Sequence, residues 1–154
     1  MDDPTARKTQ LEAAFNEYQE LLQNNPDNLA AQLGLGLSAY SLGRYQEAVN
    51  YLAPLMDNSK VLRPTKEITG PGNVTQVVED PQFWEANYKR LKSVVELFKQ
   101  NPTDPTYQKD LSAAHSYLGS LYIINGKKTG GKSYHDDFDQ LKTEIDGLLA
   151  GTKK

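Results

Sequence analysis

The chain has 154 residues, the length of one ordinary domain, and a formal net charge of −3. It has no cysteine, which excludes disulfides, thiolate nucleophiles and zinc–thiolate sites. Since phosphate-binding surfaces usually show a basic excess, 17 Lys plus Arg against 20 Asp plus Glu argues against a nucleic acid partner. No run approaches the ~20 apolar residues of a spanning helix, so we expect no direct membrane insertion.

Three helices are predicted in the first part of the chain, at about 5–24, 27–42 and 45–57. The first carries a single apolar stripe at spacings of three and four residues, which includes Phe15 and Tyr18. The second has Asp27 or Asn28 as its N-cap and Gly43 at its C-terminal end. The third contains Pro54, which predicts a kink or an early end of the helix.

Residues 58–80 interrupt the helical pattern with several prolines and glycines. Structureless loops longer than ~12–15 residues are uncommon in compact domains, so this inserted loop is either functional or partly ordered. Short apolar runs at Val61-Leu62, at Ile68-Thr69 and from Val74 to Val78 surround a Gly-Pro-Gly-Asn turn, and one possible interpretation is a small β-hairpin.

A second group of three helices is predicted at about 81–100, 105–125 and 133–149. The segment Glu20–Pro26 recurs as Glu96–Pro102, and each copy ends an amphipathic stretch with Asn-Pro. The chain is therefore predicted to be all-α, a single domain over 1–154 with helical groups at 5–57 and 81–150.

One stretch of this pattern resembles the tetratricopeptide repeat, a helix-turn-helix unit in which small residues let two helices nest closely. The matching residues are Leu35, Gly36, Gly43, Tyr45, Ala48 and Leu52. The sequence departs from the family at Gln32, Ala39 and Lys60. If Leu118-Gly119 matches Leu35-Gly36, the second unit is longer than the first. The resemblance implies a solenoid of about six helices with the inserted loop between helices three and four.

The first helix is similar to the second half of a preceding repeat, with Ala14, Tyr18, Leu21 and Pro26 in register. We therefore expect that the chain is a fragment of a longer protein. The acidic N-terminal residues show no secretory signal, which favours the cytoplasm. A soluble domain of a membrane-anchored or exported protein stays open as an alternative.

In the repeat family, the first helix of each unit lines a concave face that binds partners. Carried onto this sequence, that face holds Ala30, Leu33, Leu37, Tyr40 and Ser41. Independently, Leu29 and three of these residues recur at helical spacing as a second apolar stripe. Either helix four with Trp84, or another part of this chain, covers this stripe, or the stripe accepts a helix or extended segment of a partner.

Two further consequences of the resemblance concern the chemistry of that face. One subclass of the family grips a C-terminal carboxylate with Lys and Asn, but Leu33 and Leu37 occupy the corresponding positions here. In the second unit the equivalent face would hold Ala113, Ser116, Ser120, Ile123 and Ile124. A protein or peptide partner is therefore expected to be recognised by apolar contacts and shape.

The leading hypothesis is a non-enzymatic interaction module that acts as a scaffold or assembly factor. A structural or self-associating element is the alternative. Gly126–Ser133 also satisfies the phosphate-binding pattern G-x-x-x-x-G-K-S, but this pattern needs a preceding strand in a parallel sheet. A weak anion site at the start of helix six is a further possibility. His115 and His135–Asp137 lack the spacing of a metal site, so we expect no metal and no cofactor.

Overall fold

The computed structural model describes residues 3–57 and 62–152, which contain six α-helices and one β-hairpin. The helices are α1 (Pro4–Asn24), α2 (Leu29–Ser41), α3 (Tyr45–Asp57), α4 (Pro81–Gln100), α5 (Pro105–Asn125) and α6 (Gly131–Thr152). The strands are β1 (Thr65–Thr69) and β2 (Thr75–Glu79). The predicted helical-repeat class is confirmed, and the hairpin is a minor addition to it.

Three of the helices begin at an Asp-Pro pair. The side chains of Asp3, Asp80 and Asp104 each accept a hydrogen bond from the backbone N–H two residues later, at 3.0, 3.1 and 2.9 Å. Proline suits the first helical position because its missing N–H would have no partner there. Local sequence therefore fixes where α1, α4 and α5 begin.

The connection between α2 and α3 follows the predicted signals. Asn28 caps α2 by accepting a hydrogen bond from the Ala31 N–H at 3.0 Å. Gly43 follows α2 with a φ of +75°, which glycine adopts without steric cost. Pro54 lies on the exposed side of α3, and the helix continues past it to the predicted end at Asp57, so Pro54 does not end the helix early.

Close approach of α1 and α3 to α2 depends on two glycines. A Cβ atom on Gly36 would lie 2.4 Å from Cδ2 of Leu52 in α3. A Cβ atom on Gly34 would lie 2.6 Å from the Tyr18 ring in α1. The expected nesting of helices at Gly36 is therefore confirmed, and Gly34 adds a second close contact on the other side of α2.

Helix α4 joins the two predicted groups, since it packs against α2 and α3 and also against α5 and α6. Lys89 of α4 lies over the Tyr40 ring of α2, and Trp84 of α4 packs edge-on against Phe138 of α6. Residues nearer the C-terminal end of α4 contact residues nearer the C-terminal ends of α2 and α6. The three helices α2, α4 and α6 are therefore parallel. We call these three helices the α2–α4–α6 layer.

The hairpin confirms the partly ordered interpretation of the inserted loop. Strands β1 and β2 pair antiparallel, with Thr65 opposite Glu79 and Thr69 opposite Thr75. The turn between them has Gly72 at a φ of +76°. Leu62 precedes the hairpin and packs against the helical core, while Val61 and Lys60 lie outside the described residues.

Candidate interaction surface

An open cavity of about 450 Å³ lies where α1, α2, α3 and the start of α4 meet. The residues that line it are Tyr18, Leu29, Ala30, Leu33, Gly34, Leu37, Leu55, Leu62 and Gln82. None of these side chains carries a formal charge, and most are aliphatic. We call this space the α2 cavity, and its chemistry suits an aliphatic side chain from a partner.

The structure separates the five predicted contact residues into two sets. Ala30, Leu33 and Leu37 line the α2 cavity, with Ala30 exposed and Leu37 half-buried. Leu33 is only 9% exposed, because its other side belongs to the core formed with α3. Tyr40 and Ser41 lie further along α2 and do not line the cavity.

Helix α4 covers the apolar stripe of α2 only in part. Its contribution to the core beside Leu33 is the small residue Ala86. Trp84, the residue expected to provide the cover, lies elsewhere, with its ring 4.9 Å from that of Phe83 and 5.5 Å from that of Phe138. The only α4 residue among those that line the α2 cavity is Gln82, so the cavity stays open beside the start of α4.

Three half-buried tyrosines cross the α2–α4–α6 layer, one on each helix. The rings of Tyr88 and Tyr134 are 5.7 Å apart, and Tyr40 of α2 lies near both. Burial raises the pKa of all three hydroxyls, so they stay protonated and able to donate at neutral pH. This tyrosine row was not predicted from the sequence.

A cluster of ion pairs lies beside the tyrosine row and joins α4 to α6. Lys92 and Lys99 both contact the Glu144 carboxylate, and the Lys92 distance is 2.8 Å. Burial acts to raise the pKa of Glu144, but the hydrogen bonds and charges of the two lysines hold this pKa below its ordinary value. The cluster therefore stabilises the contact between α4 and α6 when Glu144 is ionised.

Replacement of Glu144 by glutamine is expected to lower the free energy of unfolding by about 1 kcal/mol near neutral pH. Because the pKa of Glu144 is lowered by folding, its stabilisation is complete above the unfolded-state pKa of about 4.3. That stabilisation is lost as the pH falls through the lower folded-state pKa. Urea unfolding of both proteins at neutral and at strongly acidic pH measures the difference, with exposed Glu20→Gln as control. A difference that stays constant with pH would contradict this assignment.

The segment Gly126–Ser133 does not have the setting that a phosphate-binding loop needs. The residues before it belong to α5, so a helix stands where the pattern needs a strand. At the start of α6, the Lys132 N–H donates a hydrogen bond to the Glu79 carboxylate at 3.0 Å. A side chain of the hairpin therefore occupies the place where an anion would bind.

The packing of α5 contradicts the prediction that this helix lines the binding face of the second unit. Helix α5 contacts α4 and α6 but lies outside the α2–α4–α6 layer. Ser116, Ser120, Ile123 and Ile124 are exposed on α5, and a Cβ atom on Gly119 would meet nothing within 4 Å. The match of Leu118-Gly119 to Leu35-Gly36 is therefore wrong, since none of the described helices packs closely at Gly119.

Each histidine makes a polar contact between two elements near the C-terminus: His115 joins α5 to α6, and His135 joins α6 to the turn before it. His115 lies 3.0 Å from Asp146 across a groove between α5 and α6, and it is exposed rather than part of the core. His135 Nδ1 lies 3.0 Å from the Thr129 carbonyl oxygen. Within residues 3–57 and 62–152, no group of three or more His, Asp or Glu side chains is placed to hold a metal ion.

Comparison with known protein families supports the helical-repeat architecture of the first three helices. A family model described as a tetratricopeptide repeat matches residues 7–59, which include α1, α2 and α3. No curated protein and no solved structure matches the chain significantly. In the part of the chain that the structure describes, no helix is both long and apolar enough to cross a membrane.

Proposed function

We propose that this chain, in which residues 7–59 match a tetratricopeptide repeat, binds a polypeptide segment in the α2 cavity. The repeat is typical of protein–protein interaction modules, and the chain would act as a scaffold or assembly factor. The observation that carries the proposal is the open apolar cavity beside Ala30 and Leu37, which is lined mostly by the segment that matches the repeat and is completed by Leu62 and Gln82. The role is one of binding rather than catalysis.

The chemistry of the α2 cavity suggests what the partner presents. A cavity without charged lining residues favours an aliphatic anchor, since an ionised group placed there would lose its hydration without a compensating partner. The tyrosine row then offers hydroxyl donors and ring faces to the rest of the segment. A short peptide with one large aliphatic side chain and exposed backbone carbonyls fits both features.

Replacement of Ala30 by glutamate is expected to weaken peptide binding at least tenfold, which corresponds to about 1.4 kcal/mol. Ala30 is exposed, so the new carboxylate enters the mouth of the α2 cavity without removing a core side chain. Peptides are first selected from a displayed random library on the parent chain. Fluorescence anisotropy then measures their affinity for each variant.

The matched control is Ala13→Glu, because Ala13 is an exposed alanine on α1 outside the α2 cavity. Leu33→Glu is unsuitable, since Leu33 also belongs to the core and its loss would unfold the repeat. Circular dichroism verifies that both alanine variants keep their helices. Equal affinity of the selected peptides for Ala30→Glu and Ala13→Glu would refute the assignment of the cavity.

A further inference from the structure

The hairpin and the C-terminal end of α5 concentrate exposed aliphatic side chains. Seven large hydrophobic residues are exposed in the described part of the chain, and five of them lie in these two places. Ile123 and Ile124 are 86% and 77% exposed, and Val77 of the hairpin is 66% exposed. Single exposed aliphatics are common on protein surfaces, but such a concentration marks an interaction site.

Three lysines lie where the base of the hairpin meets the turn after α5. Lys127, Lys128 and Lys132 line a cavity of about 470 Å³ together with Thr65 and Glu79 at the base of the hairpin. The turn after α5 and the hairpin therefore adjoin each other. We call this region, formed by the hairpin, residues 123–124 and the three lysines, the hairpin end.

The ammonium groups at the hairpin end lack carboxylate partners. In residues 3–57 and 62–152, the lysines that form ion pairs lie on α1, α4 and α6, and Lys127, Lys128 and Lys132 are not among them. The nearby Glu79 carboxylate accepts a hydrogen bond from a backbone N–H instead. The hairpin itself adds Lys66, Glu67 and Glu79, so the hairpin end holds four lysines and two glutamates and is locally positive in a chain with a net charge of −3.

We propose that the hairpin end binds the surface of an anionic lipid bilayer. The lysines complement negative headgroups, and the aliphatic side chains beside them reach the boundary between headgroups and acyl chains. Ile123, Ile124 and Val77 project from a helix end and a hairpin rather than lining a concave pocket, which suits a deformable lipid surface better than a rigid protein partner. This contact needs no spanning helix, and it does not depend on the α2 cavity.

Vesicle flotation with the full chain tests the proposal. We expect binding to vesicles of phosphatidylcholine mixed with phosphatidylserine, weak binding to phosphatidylcholine alone, and a decrease as salt is added. Lys127→Glu/Lys128→Glu is expected to weaken binding at least tenfold, since each lysine near an anionic surface contributes about fivefold. Ile123→Ser/Ile124→Ser is expected to weaken it similarly.

The controls are Lys109→Glu, an exposed lysine near the other end of α5, and Leu21→Ser, an exposed leucine on α1. Both should bind like the parent chain, and so should Ala30→Glu, which separates this proposal from the α2 cavity. Failure to bind either kind of vesicle, or equal binding by the Lys127/Lys128 variant, would overturn it. Self-association that Ile123→Ser/Ile124→Ser abolishes, without vesicle binding, would instead assign the surface to a second copy.

Discussion

Replacement of Phe138 by alanine is expected to lower the free energy of unfolding by about 3–5 kcal/mol. Phe138 is fully buried, and its ring packs edge-on against Trp84 at 5.5 Å and against Tyr88 at 6.0 Å. Its loss leaves a cavity between α4 and α6 that neither helix fills without moving. Urea unfolding followed by circular dichroism measures the change.

Two observations separate this cavity effect from a general weakness of α6. Phe138→Leu keeps an apolar side chain and is expected to cost less than half as much, because less of the contact area is lost. The fluorescence of Trp84, the only tryptophan, should shift in native Phe138→Ala, since the packed ring beside it is removed. A cost below about 1 kcal/mol would contradict the described packing of α4 against α6.

Helix positions were predictable because their signals lie within a few residues of each helix end. The predicted bounds 45–57, 81–100 and 105–125 agree with those of α3, α4 and α5. The Asp-Pro pairs explain two of these starts, since cap and first helical residue are neighbours in sequence. The hairpin was also one of the interpretations of the sequence, because a Gly-Pro-Gly-Asn turn joins its two strands.

The candidate site was predictable only where it depends on one helix. Periodicity along α2 placed Leu33 and Leu37 on one face, and the family resemblance added Ala30, which lines the same cavity. Tyr88 and Tyr134 stand on two other helices, and their distance depends on how α4 and α6 pack. No spacing along the chain encodes that packing, which is why the tyrosine row was missed.

The contact between Glu79 and Lys132 shows that a sequence motif also fails to predict contacts with residues far away in the chain. The pattern Gly126–Ser133 is complete in sequence, yet the residue that fills its anion position comes from a strand 53 residues earlier. The glycines of the pattern have a structural role instead. Gly130 has a φ of +88°, and a Cβ atom there would lie 2.5 Å from the Tyr134 carbonyl oxygen. This motif therefore forms a tight turn into α6.

Two Leu-Gly pairs that look equivalent in sequence are expected to respond differently to the same change. Gly36→Val should lower the free energy of unfolding by about 1–3 kcal/mol, because its Cβ atom would lie 2.4 Å from Leu52, which is fully buried. Gly119→Val should change it by less than about 0.5 kcal/mol, because nothing lies within 4 Å of a Cβ atom there and valine forms helix better than glycine.

Urea unfolding of the two valine variants measures this difference directly, and each serves as the control for the other. The β-branched side chain has the same intrinsic helix propensity at both positions, so only the surroundings differ. Equal losses would mean that another helix packs at Gly119 as closely as α3 packs at Gly36, and that the second unit follows the repeat after all. A loss confined to Gly36→Val means that close helix nesting belongs to the segment 7–59 that matches the family. The second half would then be stabilised mainly by large side chains such as Phe138 and Trp84.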